Sequence, residues 1–298
     1  AAKLGTTVAA GSVLCYIAEE ADWIPPETGS DEVEQVPGDL KITEPALAVA
    51  KELGIDLDAL PRGVLVTERQ VRELAAPAPA ELPPGDGRSV VVYGSGGHGK
   101  TLIELIRAVG DLEVVGVIDD AAAAGSEVLG VSVIGSRDDL RRIRADGVAL
   151  AVNAAGGITN MSSRVDVTTM LARAGFDLPV LVHPTAFVEA SAVITDGAQI
   201  LAHSYVGSAA RVGGSVIVNT GAVVSHDCVL GDHVNLSPGC VLAGNVTVGP
   251  RTLLGMGVTT YLGIAVGSDV RVGNGAILNV DVPDGRRIAA GTVWEGDT

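Results

Sequence analysis

The residue pair best suited to catalysis is His226 followed by Asp227, in the segment NTGAVVSHDC. An imidazole can take up a proton near neutral pH, and a neighbouring carboxylate can orient and polarise the ring. Such a base would activate an amine or hydroxyl for attack on a thioester. The alternative for the same residue is a surface histidine without a role.

A second candidate site is the turn GSGGHG, between an apolar run that reads as a strand and a segment that reads as a helix. Glycines let the backbone approach a phosphate, and a helix N-terminus offers N–H donors. Asp119 or Asp120, at the end of the next strand, would accept a hydrogen bond from a ribose hydroxyl or a base N–H. The predicted binding residues are Gly94, Gly96, Gly97, His98, Gly99, Asp119 and Asp120.

His226 lies within a strict six-residue repeat of aliphatic residues that runs from Val182 to Leu278, with Thr260 as its one exception. A period of six fits neither a helix nor a strand, but it fits a triangular solenoid with one short strand and one turn per hexad. The repeat predicts a left-handed parallel β-helix of five to six coils. His226, two residues after the inward Val224, would then point outward near a corner.

The coil length of three hexads places Gly244 beside His226 on the next coil. A glycine there leaves a backbone N–H available as a donor to the oxyanion of a tetrahedral intermediate. An ordinary turn glycine is the alternative. Cys228 and Cys240 fall at small inward positions of the repeat, so we predict that both fill the core.

Composition limits the classes of partner and function that the chain can have. The net charge of −16 argues against nucleic acid and anionic membranes as partners. The chain has no run of 18 apolar residues and no visible signal peptide, so we expect a cytoplasmic protein. We predict no metal site, because His203, His226 and His233 lack the spacing that would stack them on successive coils. The absence of an initiator Met suggests a fragment or a processed product.

Composition also divides the chain into six segments. We predict a short β fragment at 1–24, a linker at 25–40, a small helical segment at 41–76 and a second linker at 77–87. A small Rossmann-like α/β domain at 88–179 and the β-helix at 180–298 follow. Thr43 and Thr67 are the expected helix caps of the helical segment.

Read alone, the glycine-rich turn suits a dinucleotide. The short domain joined to a solenoid instead favours a nucleotide diphosphate that carries a sugar. A turn that binds nothing is the third possibility.

The runs VVVYGSGGHGKTLIELI, VVGVIDD, NTGAVVSHDC and GDHVNLSPGC together resemble the bacterial sugar acetyltransferase family, over residues 88 to about 285. That family includes sialic-acid O-acetyltransferases and N-acetyltransferases of nucleotide-linked amino sugars. The resemblance implies a nucleotide sugar in the small domain, a homotrimer of solenoids, and acetyl-CoA as co-substrate between subunits. It further implies His226 as base, Asp227 as its acidic partner and Gly244 as backbone donor. The acetyl-CoA-binding residues would be Asn235, Gly244 and Gly255.

Three departures from the family pattern stand out. Ser225 replaces a glutamate that many members carry before the histidine, which predicts altered electrostatics or acceptor preference. Asn235 replaces a histidine that some members carry near acetyl-CoA, and the chain ends in GTVWEGDT instead of the usual Pro-Ala-Lys.

The N-terminal segments resemble other families. Residues 3–19 resemble the last strands of a lipoyl or biotinyl domain. Residues 41–75 resemble a peripheral-subunit-binding domain, which implies a protein partner for the segment 41–76.

The sequence therefore predicts an acetyl-CoA-dependent N-acetyltransferase of a nucleotide-linked deoxy-amino sugar. A sialic-acid-type O-acetyltransferase is the nearest alternative. An NAD-dependent oxidoreductase and a non-catalytic scaffold are alternatives from other classes.

Overall fold

The structure, a computed structural model, describes residues 37–75, 87–155 and 161–296. The β fragment predicted at 1–24, most of the first linker and nearly all of the second lie outside these residues. The chain divides into two compact units, one within residues 1–75 and the other within residues 76–298.

The first unit is a pair of short helices with a two-stranded parallel sheet. Its elements are β1 (Lys41–Ile42), α1 (Glu44–Glu52), a 3₁₀ turn (Leu57–Ala59), β2 (Leu65–Val66) and α2 (Glu68–Ala75). Thr43 caps α1 as predicted, because its hydroxyl accepts a hydrogen bond from the backbone N–H of Ala46. Buried aliphatic residues between the helices form a small core: Leu40, Ala46, Val49, Ala50, Leu60, Val66 and Val71.

The second unit begins with the α/β domain. Its elements are β3 (Ser89–Tyr93), α3 (Gly97–Val109), β4 (Glu113–Ile118), β5 (Glu127–Val128), β6 (Val131–Gly135), a 3₁₀ turn (Arg137–Asp139), α4 (Leu140–Ala145), β7 (Leu150–Asn153) and α5 (Met161–Arg173). The sheet order is β5-β6-β4-β3-β7, and all pairs but β5–β6 are parallel. β4, which follows β3 in the chain, lies on one side of β3, and β7, which the chain reaches later, lies on the other. The strand order therefore reverses beside β3, and the carboxyl end of such a switch point is where folds of this type bind ligands.

A three-faced parallel β-helix follows. Its first face has strands Leu181–Val182, Gln199–Ile200, Ile217–Val218, Asn235–Leu236, Leu253–Leu254, Arg271–Val272 and Arg287–Ile288. Its second face has Phe187–Val188, Tyr205–Val206, Val223–Val224, Val241–Leu242, Thr259–Thr260, Ile277–Leu278 and Val293–Trp294. Its third face has Val193–Ile194, Arg211–Val212, Val229–Leu230, Thr247–Val248 and Ala265–Val266.

Successive coils pair at a spacing of three hexads, as between Gln199 and Ile217. The second residue of each strand points inward, and stacked aliphatic side chains fill the interior. Cys228 and Cys240 are fully buried, as predicted. The predicted fold class, a small Rossmann-like domain followed by a left-handed parallel β-helix, is confirmed.

The last coil differs from the prediction. Arg271 pairs with Arg287, so this coil falls two residues short of three full hexads. The inward series continues with Val282, Ile288 and Trp294, all buried in the same core. A count in steps of six loses phase here because two residues are missing after Leu278. The β-helix thus has six coils and part of a seventh in the described residues, rather than five to six.

Candidate active site

His226 lies at the corner that follows the strand Val223–Val224, and its side chain is exposed. Its Nδ1 atom is 2.7 Å from Oδ2 of Asp227, which is also exposed. A carboxylate on Nδ1 favours the tautomer in which that nitrogen carries the proton. Nε2 is then the free end of the ring and can accept a proton.

Gly244 lies directly under the His226 ring. A Cβ atom at this position would be 2.5 Å from both Cε1 and Nε2 of His226, which is too close for any side-chain carbon. The glycine is therefore required for the position of the histidine. The coil spacing does bring these two predicted residues together.

The Gly244 N–H has no hydrogen-bond partner among the described residues. At some corners of the solenoid, a polar side chain one coil further on accepts from the equivalent N–H, as Asp232 does from Gly214 at 2.7 Å. The residue one coil beyond Gly244 is Leu262, which cannot accept. A free donor therefore lies beside the imidazole ring of His226.

Ser225, which stands where many family members carry a glutamate, contacts the next coil. Its hydroxyl donates to the carbonyl oxygen of Leu242 at 2.6 Å. The side chain is thus fixed on the next coil and adds no charge beside His226.

Asn235 and Gly255, the predicted coenzyme residues besides Gly244, line one groove of about 660 Å³ on the first face, together with Asn219 and Arg271. Asn235 is buried, and its Oδ1 atom lacks a hydrogen-bond partner. The lining of this groove does not include His226 or Gly244. The structure therefore brings two of the three coenzyme residues together and leaves Gly244 at the corner.

The glycines of the turn after β3 fall into two kinds. A Cβ atom at Gly99 would be 2.1 Å from the carbonyl oxygen of Gly94, and one at Gly94 would be 3.1 Å from backbone atoms of Ala154. These two glycines permit close packing between β3, α3 and the end of β7. A Cβ atom at Gly96 or Gly97 would meet no protein atom within 4 Å. Open space for a ligand thus lies at the middle of the turn, at the N-terminus of α3.

Asp119, predicted to bind a ribose or base, already has partners within the protein. Its Oδ2 atom accepts from both the N–H and the hydroxyl of Ser95 at 2.7 Å. Its Oδ1 atom accepts from the N–H groups of Ala121 and Ala122. Burial opposes ionisation, but these hydrogen bonds lower the pKa of Asp119 overall. With all its acceptor positions used, Asp119 holds the glycine-rich turn in shape instead of facing outward.

Asp120 is likewise occupied. It accepts from the Tyr93 hydroxyl at 2.6 Å and from the backbone N–H of Arg137 at 2.9 Å, and it forms an ion pair with the Arg137 guanidinium. In this conformation neither aspartate offers the free oxygen that the ligand contact predicted from the sequence requires.

His98 contacts the solenoid. Its Nε2 atom is 2.8 Å from Oε1 of Gln199, and Nε2 of Gln199 donates to the carbonyl oxygen of Asn153 at 2.8 Å. Because that donation fixes the orientation of the amide, Nε2 of His98 must carry the ring proton. Burial, and then the charge of Arg164, lower the pKa of His98 to about 4. The ring is therefore neutral at pH 7 and ties the turn to the solenoid.

Arg164 of α5 supports the same junction and was missed from the sequence. It is fully buried and donates to the carbonyl oxygens of Asn153 and Ala155 and to that of Ser215 in the solenoid, at 3.1–3.3 Å. Gln199 was also missed, although a glutamine among aliphatic strand residues is a visible exception. No sequence signal distinguishes Arg164 from a surface arginine of an amphipathic helix.

Within the described ranges, no group of three or more His, Cys, Asp or Glu side chains is arranged to hold a metal ion. None of the helices described combines the length and the apolar character needed to cross a bilayer.

Known proteins are similar to both parts of the second unit. Residues 89–171 match the family described as the PglD N-terminal domain. A UDP-N-acetylbacillosamine N-acetyltransferase of Bacillus subtilis is 34% identical over 117 residues, which are 39% of this chain. The chain spans about half, 52%, of that relative.

Two solved structures match most of the second unit. The acetyltransferase domain of PglB from Neisseria gonorrhoeae, in complex with acetyl coenzyme A, is 36% identical with a TM-score of 0.64; the match covers 70% of this chain and 98% of that one. A perosamine N-acetyltransferase mutant from Caulobacter crescentus, in complex with CoA and GDP-perosamine, is 33% identical with a TM-score of 0.66; the match covers 72% and 99%. The chain belongs to the bacterial sugar acetyltransferase family.

Proposed function

We propose that this protein transfers the acetyl group of acetyl-CoA to an amino group of a nucleotide-linked deoxy-amino sugar. The observation that carries the proposal is the His226–Asp227 pair, 2.7 Å apart on an exposed corner, with Gly244, whose N–H has no partner among the described residues, directly beneath the ring. The relatives are named as N-acetyltransferases of bacillosamine and perosamine, and solved structures hold acetyl coenzyme A or CoA.

The geometry supports a direct transfer. Nε2 of His226 removes a proton from the acceptor amine as its nitrogen attacks the thioester carbonyl carbon. Asp227 stabilises the imidazolium that forms, and the Gly244 N–H stabilises the negative charge on the carbonyl oxygen. The intermediate collapses to an amide, and the sulfur of CoA leaves with the proton returned by His226.

The acceptor's diphosphate is assigned to the open middle of the turn, at Gly96 and Gly97. Backbone N–H groups at the start of a helix of 13 residues stabilise an anion there. The predicted roles of Gly94 and Gly99 become indirect, since they set the shape of the turn. His98, with Nε2 bound to Gln199, contributes by fixing the turn against the solenoid. The saturated carboxylate of Asp119 also argues against an NAD-type ribose contact, which was the alternative from another class.

The second face of the solenoid supports the proposal of a homotrimer. Five of its seven outward strand residues are apolar, and the seven are Phe187, Tyr205, Val223, Val241, Thr259, Ile277 and Val293. Phe187, Val241, Ile277 and Val293 are exposed in the single chain. An apolar stripe of this length indicates a subunit interface. His226 lies at the edge of this face, so a neighbouring subunit would form the second wall around the thioester.

An O-acetyltransferase would use the same base and donor, so the acceptor assay decides between the two. The protein is incubated with acetyl-CoA and a panel of UDP-, GDP- and dTDP-linked amino sugars, with sialic acid as the hydroxyl acceptor. We expect amide formation with at least one amino sugar. His226→Ala should lower turnover by ~10²–10⁴-fold while acetyl-CoA binding is retained. Wild-type turnover in this variant would contradict the mechanism.

A further inference from the structure

Thr260 is the one exception in the aliphatic repeat, and it lies one coil beyond Leu242, next to the candidate active site. The equivalent inward residues on the flanking coils, Leu242 and Leu278, are fully buried, whereas Thr260 is only half-buried. An isolated polar residue in a dry solenoid core costs stability unless its hydroxyl has a specific partner. The position of the exception therefore calls for a structural reason.

The main-chain ladder of the second face is altered at this point. On other coils the N–H after the inward residue donates to the inward carbonyl of the next coil, as Gly207 does to Val224 at 2.8 Å. At Ala243 this N–H donates instead to the hydroxyl oxygen of Thr260, at 3.1 Å. Accordingly, Val241 pairs with Thr259 in the ladder, but the next residue pair is missing.

The carbonyl oxygen of Ala243 is also held by a side chain. The Sγ atom of Cys228, buried in the core, donates to it at 3.2 Å. Burial raises the pKa of Cys228, so the thiol keeps the proton that it donates. In a trans peptide the C=O and N–H groups point in opposite directions. A carbonyl tied to the core thus turns the N–H of Gly244 outward, toward the surface where the His226 ring lies.

We propose that Thr260 and Cys228 are positioning residues that fix the two peptides on either side of Ala243, Thr260 through the Ala243 N–H and Cys228 through the Ala243 carbonyl, so that the Gly244 N–H is directed at the reacting thioester carbonyl. The inference rests on the proposed role of Gly244 as oxyanion donor. Both side chains act through the backbone of Ala243. Thr260 draws the Ala243 N–H out of the regular ladder, and Cys228 fixes the carbonyl on the inner side.

The test is Thr260→Val, which restores the aliphatic repeat and removes the hydroxyl. We expect the ladder bond from Ala243 to the carbonyl of residue 260 to form, so that the Gly244 N–H turns away. Because the donor acts only in the transition state, kcat should fall ~10- to 100-fold while KM for both substrates stays within about twofold. The melting temperature should not fall. Thr260→Ser keeps the hydroxyl and should retain most of the wild-type kcat.

The matched control is Thr252→Val. Thr252 is a fully buried threonine of the solenoid, and its hydroxyl donates to the carbonyl of Gly267 at 2.7 Å, away from His226. It should lose thermal stability with kcat unchanged. An unchanged kcat in Thr260→Val, or equal loss in Thr260→Ser, would overturn the proposal.

A second readout does not depend on the acceptor. Crystal structures of the wild type and Thr260→Val should differ at the Ala243–Gly244 peptide, and acetyl transfer to hydroxylamine should fall in parallel with kcat. If no nucleotide-linked sugar is acetylated but this transfer still depends on Thr260, the proposed acceptor is wrong and the positioning role stands. An identical peptide orientation in both structures would refute the positioning role whatever the acceptor.

Discussion

The glycines of the turn after β3 are subject to two different constraints, which the sequence motif alone does not separate. Gly99 has no room for a Cβ atom, whereas Gly97 faces open space. Gly97→Val should therefore leave the fold intact and block the approach of the diphosphate. We expect the acceptor KM to rise by ~10-fold or more, with the acetyl-CoA KM unchanged.

The paired variant is Gly99→Ala, in which the new methyl group would clash with the carbonyl of Gly94. It should lower the melting temperature of the α/β domain, as backbone overpacking costs ~1–3 kcal/mol. Calorimetry and substrate titrations on both variants separate the two effects. Equal rises in both KM values for Gly97→Val would show that the turn does not bind the acceptor.

The neighbours of His226 could be predicted from the sequence because the six-residue repeat determines which residues stack on successive coils. A coil of three hexads places Gly244 beside His226, and the contact is present. The partners of Asp119 and Asp120 were not accessible, since they depend on Ser95, Arg137 and local turns. A side chain that ends a strand can face a ligand or fold back onto its own loop, and composition does not distinguish the two.

The contact between α3 and the solenoid depends on a neutral His98. Its pKa is about 4 in the folded protein and 6.5 ordinarily, so the unfolded chain binds the proton more tightly. The stability that this contact contributes is complete above pH 6.5 and is lost as the pH falls toward 4. The limit is on the order of 3 kcal/mol for such a difference in pKa.

Unfolding of the α/β domain should therefore become steeply pH-dependent between pH 6.5 and 4. His98→Gln lacks the titrating ring, so the pH dependence in this window should be flatter in chemical denaturation series. His183→Gln serves as the control, because its ring is only partly buried, lies at a turn and is bonded to Thr185. Identical slopes for His98→Gln and the wild type would contradict the assignment.

At the scale of elements, the period of six was sufficient to predict the β-helix but not its end. The last coil is shorter by two residues, so Val282 and Ile288 fall out of a strict count. The long-range contacts between the α/β domain and the solenoid were also not predicted. Arg164 and Gln199 join α5, β7 and the solenoid across 46 or more residues of sequence, and no local pattern encodes such pairs.

The apolar stripe on the second face is the basis for the proposed trimer. Three chains of 30.1 kDa would give a particle of about 90 kDa, which light scattering can measure. Val241→Lys, at the centre of the stripe, should dissociate the proposed trimer and abolish turnover while the solenoid stays folded. The expected cause is the desolvation of a charge within an apolar interface.

Val229→Lys is the matched control. Val229 is exposed to the same fraction, 40%, but lies on the third face, where Arg211 interrupts the apolar residues. It should remain a trimer. A fully active monomer of Val241→Lys would show that one chain completes its own site.

The shortened last coil has a consequence for growth along the solenoid axis. A β-helix end carries open backbone groups that could template another molecule and lead to fibres. Here the perimeter contracts below three full hexads, and Arg286 lies over the Trp294 ring at 4.8 Å. The shortened coil still pairs with the regular coil before it on the first two faces, as Arg271 does with Arg287 and Ile277 with Val293. On the third face the two coils share only the bridge between Val266 and Val282, so among the described residues the loss of two residues weakens the ladder on this one face.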